Sequence, residues 1–382
     1  MNKKRSIYLM YAIALLQGMV FYGPVATLYR QAQGVSLFQI TIIEGISLAL
    51  MILLEIPWGY VADKIGYKKT MIICNTLYFV SKIVFWKAAG FAWFLAERLL
   101  LSVVLSGLSG CDSAYLFAAA GQKDSHKIFG IYSATSTTGL IVASIVFSTV
   151  VLDNYPLSGF LTVISYGLSM LLTIFLQDTG ANERRNNGLK ESVREIVSAL
   201  KRNKHFFVFL LAATLLVESN QTITVFLSQI QYLRAGIQPK YMGYLYILLT
   251  ISGILSAFSS KLTGRLGETK ICRMLFAAAG ISCAAAAVTF NPVLSVFFLV
   301  LLRVSASLFV PVNMKIQNRQ IRIADRATML SVYSSTMNIG AIFTNIIFGK
   351  LADIHVGFAL GAGAVFCCTG LLLYTIWAKK AQ

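Results

Sequence analysis

Eight charged side chains stand well inside long apolar runs of this 382-residue sequence: the carboxylates Glu44, Glu55, Glu97, Asp112 and Glu218, and the bases Lys82, Arg98 and Arg303. An ion removed from water is costly unless a partner, a set of hydrogen bonds or a proton neutralises it. Such positions therefore hold counter-charges, packing bonds or proton-exchange chemistry. Glu218 is the foremost candidate for proton exchange. It lies mid-run on a helical stripe with Thr214, Gln221, Thr222 and Gln229. A carboxylate there can take a proton when its surroundings are dry and release it when they are wet. The same place also suits a hydrogen-bonded acid that stabilises helix packing.

The elements that hold these residues follow from composition. Hydrophobic residues make up 57% of the chain and charged residues only 13%, about half the charged share of a soluble domain. Twelve apolar runs approach the ~20 residues that span a bilayer. They lie at 6–29, 39–62, 70–86, 91–120, 129–152, 157–176, 206–232, 241–260, 271–290, 292–312, 327–349 and 356–377, and are called spans 1 to 12 below. The expected fold class is an all-α polytopic membrane protein.

The net charge of +18 reads as topology rather than as affinity for nucleic acid. With the N-terminus inside, alternate loops and both termini carry 25 of the 33 basic residues. The opposite loops carry 5: Arg30, Lys87, Arg234, Lys240 and Lys350. Positive-inside asymmetry then places both termini in the cytoplasm. The first apolar run is too long for a signal peptide and has no small-residue cleavage site, so it is retained as span 1. The cysteines, Cys74, Cys111, Cys272, Cys283, Cys367 and Cys368, show neither a disulfide framework nor a metal-ligand spacing and read as packing residues.

An internal repeat recurs at an offset of about 201 residues. IYSATSTTG at 131–139 aligns with VYSSTMNIG at 332–340, DKIG at 63–66 with GRLG at 264–267, and LYRQAQG at 28–34 with IQYLRAG at 230–236. Span n thus resembles span n+6, which gives two six-helix bundles in parallel repeat with a site between them. The expected division is 1–178 for the first bundle, 179–205 for a cytoplasmic linker and 206–382 for the second. In the linker, Leu189, Val193, Ile196, Val197 and Leu200 share one helical face amid Lys190, Arg194, Lys201 and Arg202. This is a basic amphipathic helix suited to membrane lipid of the inner leaflet, as a tether or as a lipid sensor.

Depth along the spans separates the remaining charges. Glu44 and Glu55 are eleven residues apart, three turns, on one face of span 2. Glu44, in the outer third, can attract a cation, whereas Glu55 reads as structural. Asp112, at the inner end of span 4, lies within reach of Lys68 or Lys69, and Glu97 can partner Lys82 or Arg303. Arg98 shares a four-residue stripe with Ser102, Ser106, Gly110 and Ala114, which packs or lines a cavity instead of facing lipid. Further stripes fall on span 5 (Ser133, Ser136, Thr137, Ser144, Ser148) and span 11 (Ser334, Asn338, Ala341, Asn345), and on span 1 Gln17, Phe21 and Pro24 share a helix face with Tyr22 and Gly23 beside them. They line a substrate cavity or act as glue between helices. The substrate-cavity residues expected are Gln17, Phe21, Tyr22, Glu44, Gln221, Asn338 and Asn345.

The loop between spans 2 and 3 reads Gly59-Tyr-Val-Ala-Asp63-Lys64-Ile-Gly66-Tyr-Lys68-Lys69, after Leu54-Glu55-Ile-Pro57-Trp. It resembles the signature loop of the major facilitator superfamily, and through the two halves the resemblance covers the whole chain. It is similar in particular to the twelve-helix, drug-exporter-like bacterial members. The resemblance implies the major facilitator fold and a cytoplasmic gate of Gly59, Asp63, Lys64, Gly66, Lys68, Lys69 and Asp112. In that gate Asp63 meets a helix N-terminus, whose dipole favours an anion. Gly264 stands where the second copy would have the Asp. Arg98 matches the span 4 arginine linked in the family to proton coupling, with Ser102 in place of the usual Gly. The Gly-Pro pair typical of span 5 in proton-antiporting exporters is missing from Ser133 to Ser148.

These features together predict a secondary active transporter with proton-coupled export of a lipophilic or cationic small molecule by alternating access, Glu218 and Arg98 forming the proton-coupling pair. The alternative within the same fold is a lipid or nutrient transporter, a flippase or importer. The expected partners are the small-molecule substrate, protons and membrane lipid, with no nucleic acid, no cofactor and no metal, in a monomer of the cytoplasmic (inner) membrane. No GxxxxGK[ST] loop supports direct ATP drive. An intramembrane enzyme is disfavoured because His126, His205 and His355 all lie at loops or span ends.

Overall fold

The computed structural model describes residues 3–120, 125–178, 204–320 and 326–381, and every element among them is helical. Ten helical runs are long and apolar enough to cross a membrane: Lys4–Ala32, Leu37–Leu54, Gly90–Ala119, Lys127–Val151, Tyr155–Ile174, His205–Arg234, Pro239–Leu266, Glu268–Val288, Pro292–Arg319 and Val356–Lys380. Two more helices, Tyr67–Lys87 and Arg326–Ile354, occupy spans 3 and 11 and complete the twelve. The amphipathic helix expected in the linker falls outside the described residues.

Local chemistry explains where the helices start and stop. Span 6 opens at Asn154, whose Oδ1 accepts the Leu157 N–H at 3.1 Å, and Pro156 sits in its first turn. Span 10 opens likewise at Asn291, whose Oδ1 accepts the N–H groups of Val293 and Leu294 at 2.9 and 3.1 Å, with Pro292 following. In both cases a short polar side chain satisfies orphan donors and proline occupies a position that needs none.

The repeat is visible as duplicated turns. Span 1 ends at Gly34 (φ +82°) and span 7 at Gly236 (φ +83°). Val35 N–H bonds Arg30 O at 3.1 Å in the first, and Ile237 N–H bonds Tyr232 O at 2.9 Å in the second. This is the same left-handed glycine cap. Gly66 and Gly267, at φ +87° and +82°, begin spans 3 and 9 in one conformation.

Several spans are less regular than continuous apolar runs suggest. Span 4 runs Gly90–Leu108, breaks at Gly110 (φ +84°) and resumes over Cys111–Ala120. Span 1 stops at Gly18 and resumes through a 3-10 turn, Gly23–Val25, into Ala26–Ala32. Backbone groups freed in an apolar setting need partners, and span 6 supplies them. Phe21 N–H donates to Thr162 Oγ1 at 3.0 Å, while Ser165 and Tyr166 donate to the carbonyls of Leu16 and Gln17 at 2.6 and 2.7 Å. Span 7 is interrupted at the repeat-related place by a π turn, Ile223–Leu227.

The chain divides into two compact units. The first comprises Met1–Val35, Ile46–Asn186 and Pro239–Ile247, and the second Ser36–Gly45, Asn187–Gln238 and Leu248–Gln382. The start of span 2 thus groups with the second repeat and the start of span 8 with the first. Cys74, Cys111, Cys272, Cys283 and Cys367 are buried free thiols, and Cys368 is exposed.

Candidate functional site

The first unit buries an ionic cluster. Glu97, 1% exposed, has one carboxylate oxygen 4.0 Å from Lys82 Nζ and the other 4.0 Å from an Arg30 Nη. Lys82, 3% exposed, donates to the Tyr22 hydroxyl at 3.0 Å. Its ammonium also lies 4.9 Å from the Tyr78 ring and 5.1 Å from the Tyr166 ring. The faces of these rings carry negative potential and help to hold the cation away from water. Tyr22 stacks on Phe85 at 3.8 Å, and the Arg30 guanidinium lies 5.4 Å over Phe85 and 5.9 Å over Phe94. Spans 1, 3, 4 and 6 meet here, so the cluster fixes the broken segment of span 1 to its neighbours.

Arg30 departs from the loop position that charge counting gave it. It belongs to the last turn of span 1, Ala26–Ala32, and is 8% exposed. An arginine can lie inside because its stem packs on aromatic rings while its head meets a carboxylate. Arg234 likewise belongs to the last turn of span 7, bonds Ala287 O at 2.9 Å and lies 4.1 Å over the Phe290 ring.

The other expected residues of this unit are spread around the cluster. Gln17 donates through its amide to Asn75 Oδ1, and Asn75 donates to Met71 O at 2.8 Å. Arg98 is half-buried and acts electrostatically on Tyr22. The small-residue stripe of span 4 packs on span 2, with Ser102 Oγ 2.7 Å from Ser47 Oγ and Ser106 Oγ donating to Met51 O at 3.4 Å. On span 5, Thr137 and Ser144 turn their hydroxyls onto carbonyls of their own helix.

The second unit has a different pattern. Glu218 on span 7 and Glu44 on span 2 are both half-buried, and Glu44 acts electrostatically on Glu218. Glu218 lies one turn before the π turn of span 7. Just beyond it, Thr222 donates to the buried Asn345 Oδ1 of span 11 at 2.8 Å. Gln221 is exposed, Asn338 is half-buried, and Gln229 turns its amide onto Val225 O at 3.2 Å. This unit therefore brings together a carboxylate pair, a helix irregularity and an interhelical amide contact.

Of the expected gate residues, Lys64 and Lys69 are exposed, Lys68 is half-buried and Gly66 forms the turn into span 3. The side chains of Asp63 and Glu55, and the surroundings of Gly59, lie outside the described residues. Asp112 accepts the Tyr132 hydroxyl at 3.1 Å, where Lys68 or Lys69 was expected as its partner. Tyr132 lies in one copy of the duplicated segment, but the repeat gave no sign that it would meet Asp112. Arg30 and the tyrosine cage of Lys82 carried no signal either. Among the described residues there is no cluster of His, Cys, Asp and Glu able to hold a metal ion.

Comparison with known proteins agrees with this architecture. Residues 7–305 match the model of the Major Facilitator Superfamily. An uncharacterized MFS-type transporter of Methanocaldococcus jannaschii is 22% identical over 350 residues, 88% of each chain. Multidrug resistance protein 2 of Bacillus subtilis is 21% identical over 337 residues, 84% of this chain and 82% of that protein. Among solved structures, the nucleoside transporter NupG superposes with a TM-score of 0.80 at 18% identity, covering 99% of both chains. A bacterial homologue of the human lysosomal transporter Spinster gives 0.73 at 15% identity, over 98% of this chain and 96% of that one. The chain is a multi-pass membrane transporter rather than an enzyme, and it belongs to the Major Facilitator Superfamily.

Proposed function

We propose that the protein couples the entry of protons to the export of a lipophilic or cationic small molecule by alternating access. The observation that carries this reading is Glu218, half-buried beside the π turn of span 7 and within electrostatic range of a second carboxylate, Glu44. Two neighbouring carboxylates resist being charged together, so one of them exchanges a proton as access to water changes. A cationic substrate relieves the same repulsion and thereby competes with the proton, which is the requirement for antiport. Arg98 modulates the cycle from span 4, and Gln221 and Asn338 contribute polar contacts to the substrate path, whereas Tyr22 and Asn345, expected there, are buried in packing contacts. Similarity to Multidrug resistance protein 2 supports export. The protein works as a monomer in the cytoplasmic membrane, with both termini inside.

Substrate-dependent proton flux in proteoliposomes tests the assignment, with ethidium as the probe. Glu218→Gln is expected to abolish the pH dependence of ethidium movement, and unchanged flux and pH dependence would refute it. A second reading, import of a nutrient or movement of a lipid, is favoured by span 5. No proline interrupts Ser133 to Ser148, and the irregularity there is a π turn at Phe147–Val151. Growth on a defined nutrient that depends on the protein, with drug susceptibility unaltered, would select that reading.

A further inference from the structure

Span 2, Leu37–Ile65, begins at a cap that is completed from span 11. Ser36 N–H donates to Gln39 Oε1 at 3.0 Å and Gln39 N–H donates to Ser36 Oγ at 3.2 Å, a reciprocal capping box. The Ser36 hydroxyl in turn donates to Asp353 Oδ2 at 2.8 Å, and Phe38 N–H donates to Asp353 Oδ1 at 3.1 Å. Both oxygens of one carboxylate are thus engaged by the first turn of a 29-residue helix, at the end where its dipole favours an anion. About one turn away the two helices are in direct backbone contact. A Cβ at Gly349 would overlap Thr41 Oγ1 and crowd Phe38 Cα. Thr41 is 1% exposed beneath this crossing, and the Lys350 ammonium lies 5.7 Å over the Phe38 ring.

We propose that Asp353 is a reversible latch that holds the start of span 2 against span 11 and lets go when the transport cycle parts the two helices. The chemistry suits a contact that must be made and broken. Asp353 is exposed, so water can take over both of its hydrogen bonds when they open. At Gly349 the crossing presents no side chain to interlock. The capping box within span 2 keeps the helix end satisfied after the carboxylate has left. The latch goes beyond the proton-coupled export proposed above and depends on neither its substrate nor its ion.

The test follows the reactivity of a thiol beneath the latch in purified full-length protein, using a water-soluble maleimide. Thr41→Cys supplies the thiol, native Cys368, exposed on span 12, is the reference, and buried Cys283 reports general loosening. Loss of a helix cap of this kind corresponds to about a 5-fold shift in an opening equilibrium. Thr41→Cys is therefore expected to label about 5-fold faster when combined with Asp353→Ala, and by a smaller factor with Asp353→Asn, whose amide oxygen can still accept. Ser36→Ala should act in the same direction. Equal labelling in all variants would overturn the proposal, as would an increase that Cys283 shares.

Discussion

Both units of the protein bury charge, but they balance it in opposite ways. In the first, Glu97 is flanked by Lys82 and Arg30 at 4.0 Å each, and Lys82 is further enclosed by tyrosine rings. In the second, Glu218 has another carboxylate, Glu44, as its electrostatic neighbour. A carboxylate between two cations has its counter-charges in place and serves as a strut. A carboxylate beside a carboxylate gains from a proton or a bound cation. The difference assigns rigidity to the first cluster and exchange to the second, and each assignment can be broken by mutation.

Removing the anion of the strut has the largest expected effect. Glu97→Gln leaves Lys82 and Arg30 buried without a counter-charge, and breaking a buried ion pair in this way costs about 3–5 kcal/mol. A large fall in the thermal unfolding temperature of the purified protein is expected. Adding Lys82→Met to Glu97→Gln should recover part of the loss, because it removes one of the stranded cations. A single variant as stable as the wild type would show that the cluster is solvated and not a strut.

A second contrast uses the repeat itself. Asp112 and Asn313 stand 201 positions apart, as do Tyr132 and Tyr333. In the first copy the Tyr132 hydroxyl donates to the Asp112 carboxylate at 3.1 Å. In the second, Asn313 accepts from Gln317 at 3.0 Å, and the buried Tyr333 hydroxyl has no hydrogen-bond partner among the described residues. Tyr132→Phe should therefore cost about 1.5–3 kcal/mol, the range for a hydrogen bond to a charged group. Tyr333→Phe should be neutral or stabilising, because it deletes an unsatisfied polar atom. Chemical denaturation of the two variants side by side measures the difference, and equal losses would remove the asymmetry between the copies.

What the sequence made legible was the part governed by periodicity. Apolar run length gave twelve helices, and the 201-residue offset anticipated the twin turns at Gly34 and Gly236 and at Gly66 and Gly267. It also singled out Glu97 and named Lys82 as one possible partner. It did not reveal Arg30, because an arginine at the end of an apolar run looks like a loop residue until the aromatic rings that receive it are in place. Asp353 carries no signal in the sequence for a similar reason: its role depends on the first turn of a helix more than 300 residues away in the chain. Polar stripes were the most ambiguous signal. Thr137 and Ser144 spend their hydroxyls on their own helix, whereas Thr222 and Asn345 join two helices. Spacing alone is the same in both cases.

The smallest expected effect on stability separates the two clusters most sharply, because its sign differs from the first. Glu218→Gln removes one of two like charges while leaving an amide of nearly the same shape that can still hydrogen-bond. At the effective dielectric near a partly exposed site, relief of that repulsion amounts to roughly 1 kcal/mol or less. The variant should thus unfold at the same temperature as the wild type or slightly above it, whereas Glu97→Gln unfolds well below. Raising the salt concentration should shrink any gain of Glu218→Gln over the wild type, since half-buried charges are partly screened. If Glu218→Gln were instead destabilising on the scale of Glu97→Gln, its carboxylate would be a packing acid like that of the first unit. The proton would then have to be sought on Glu44.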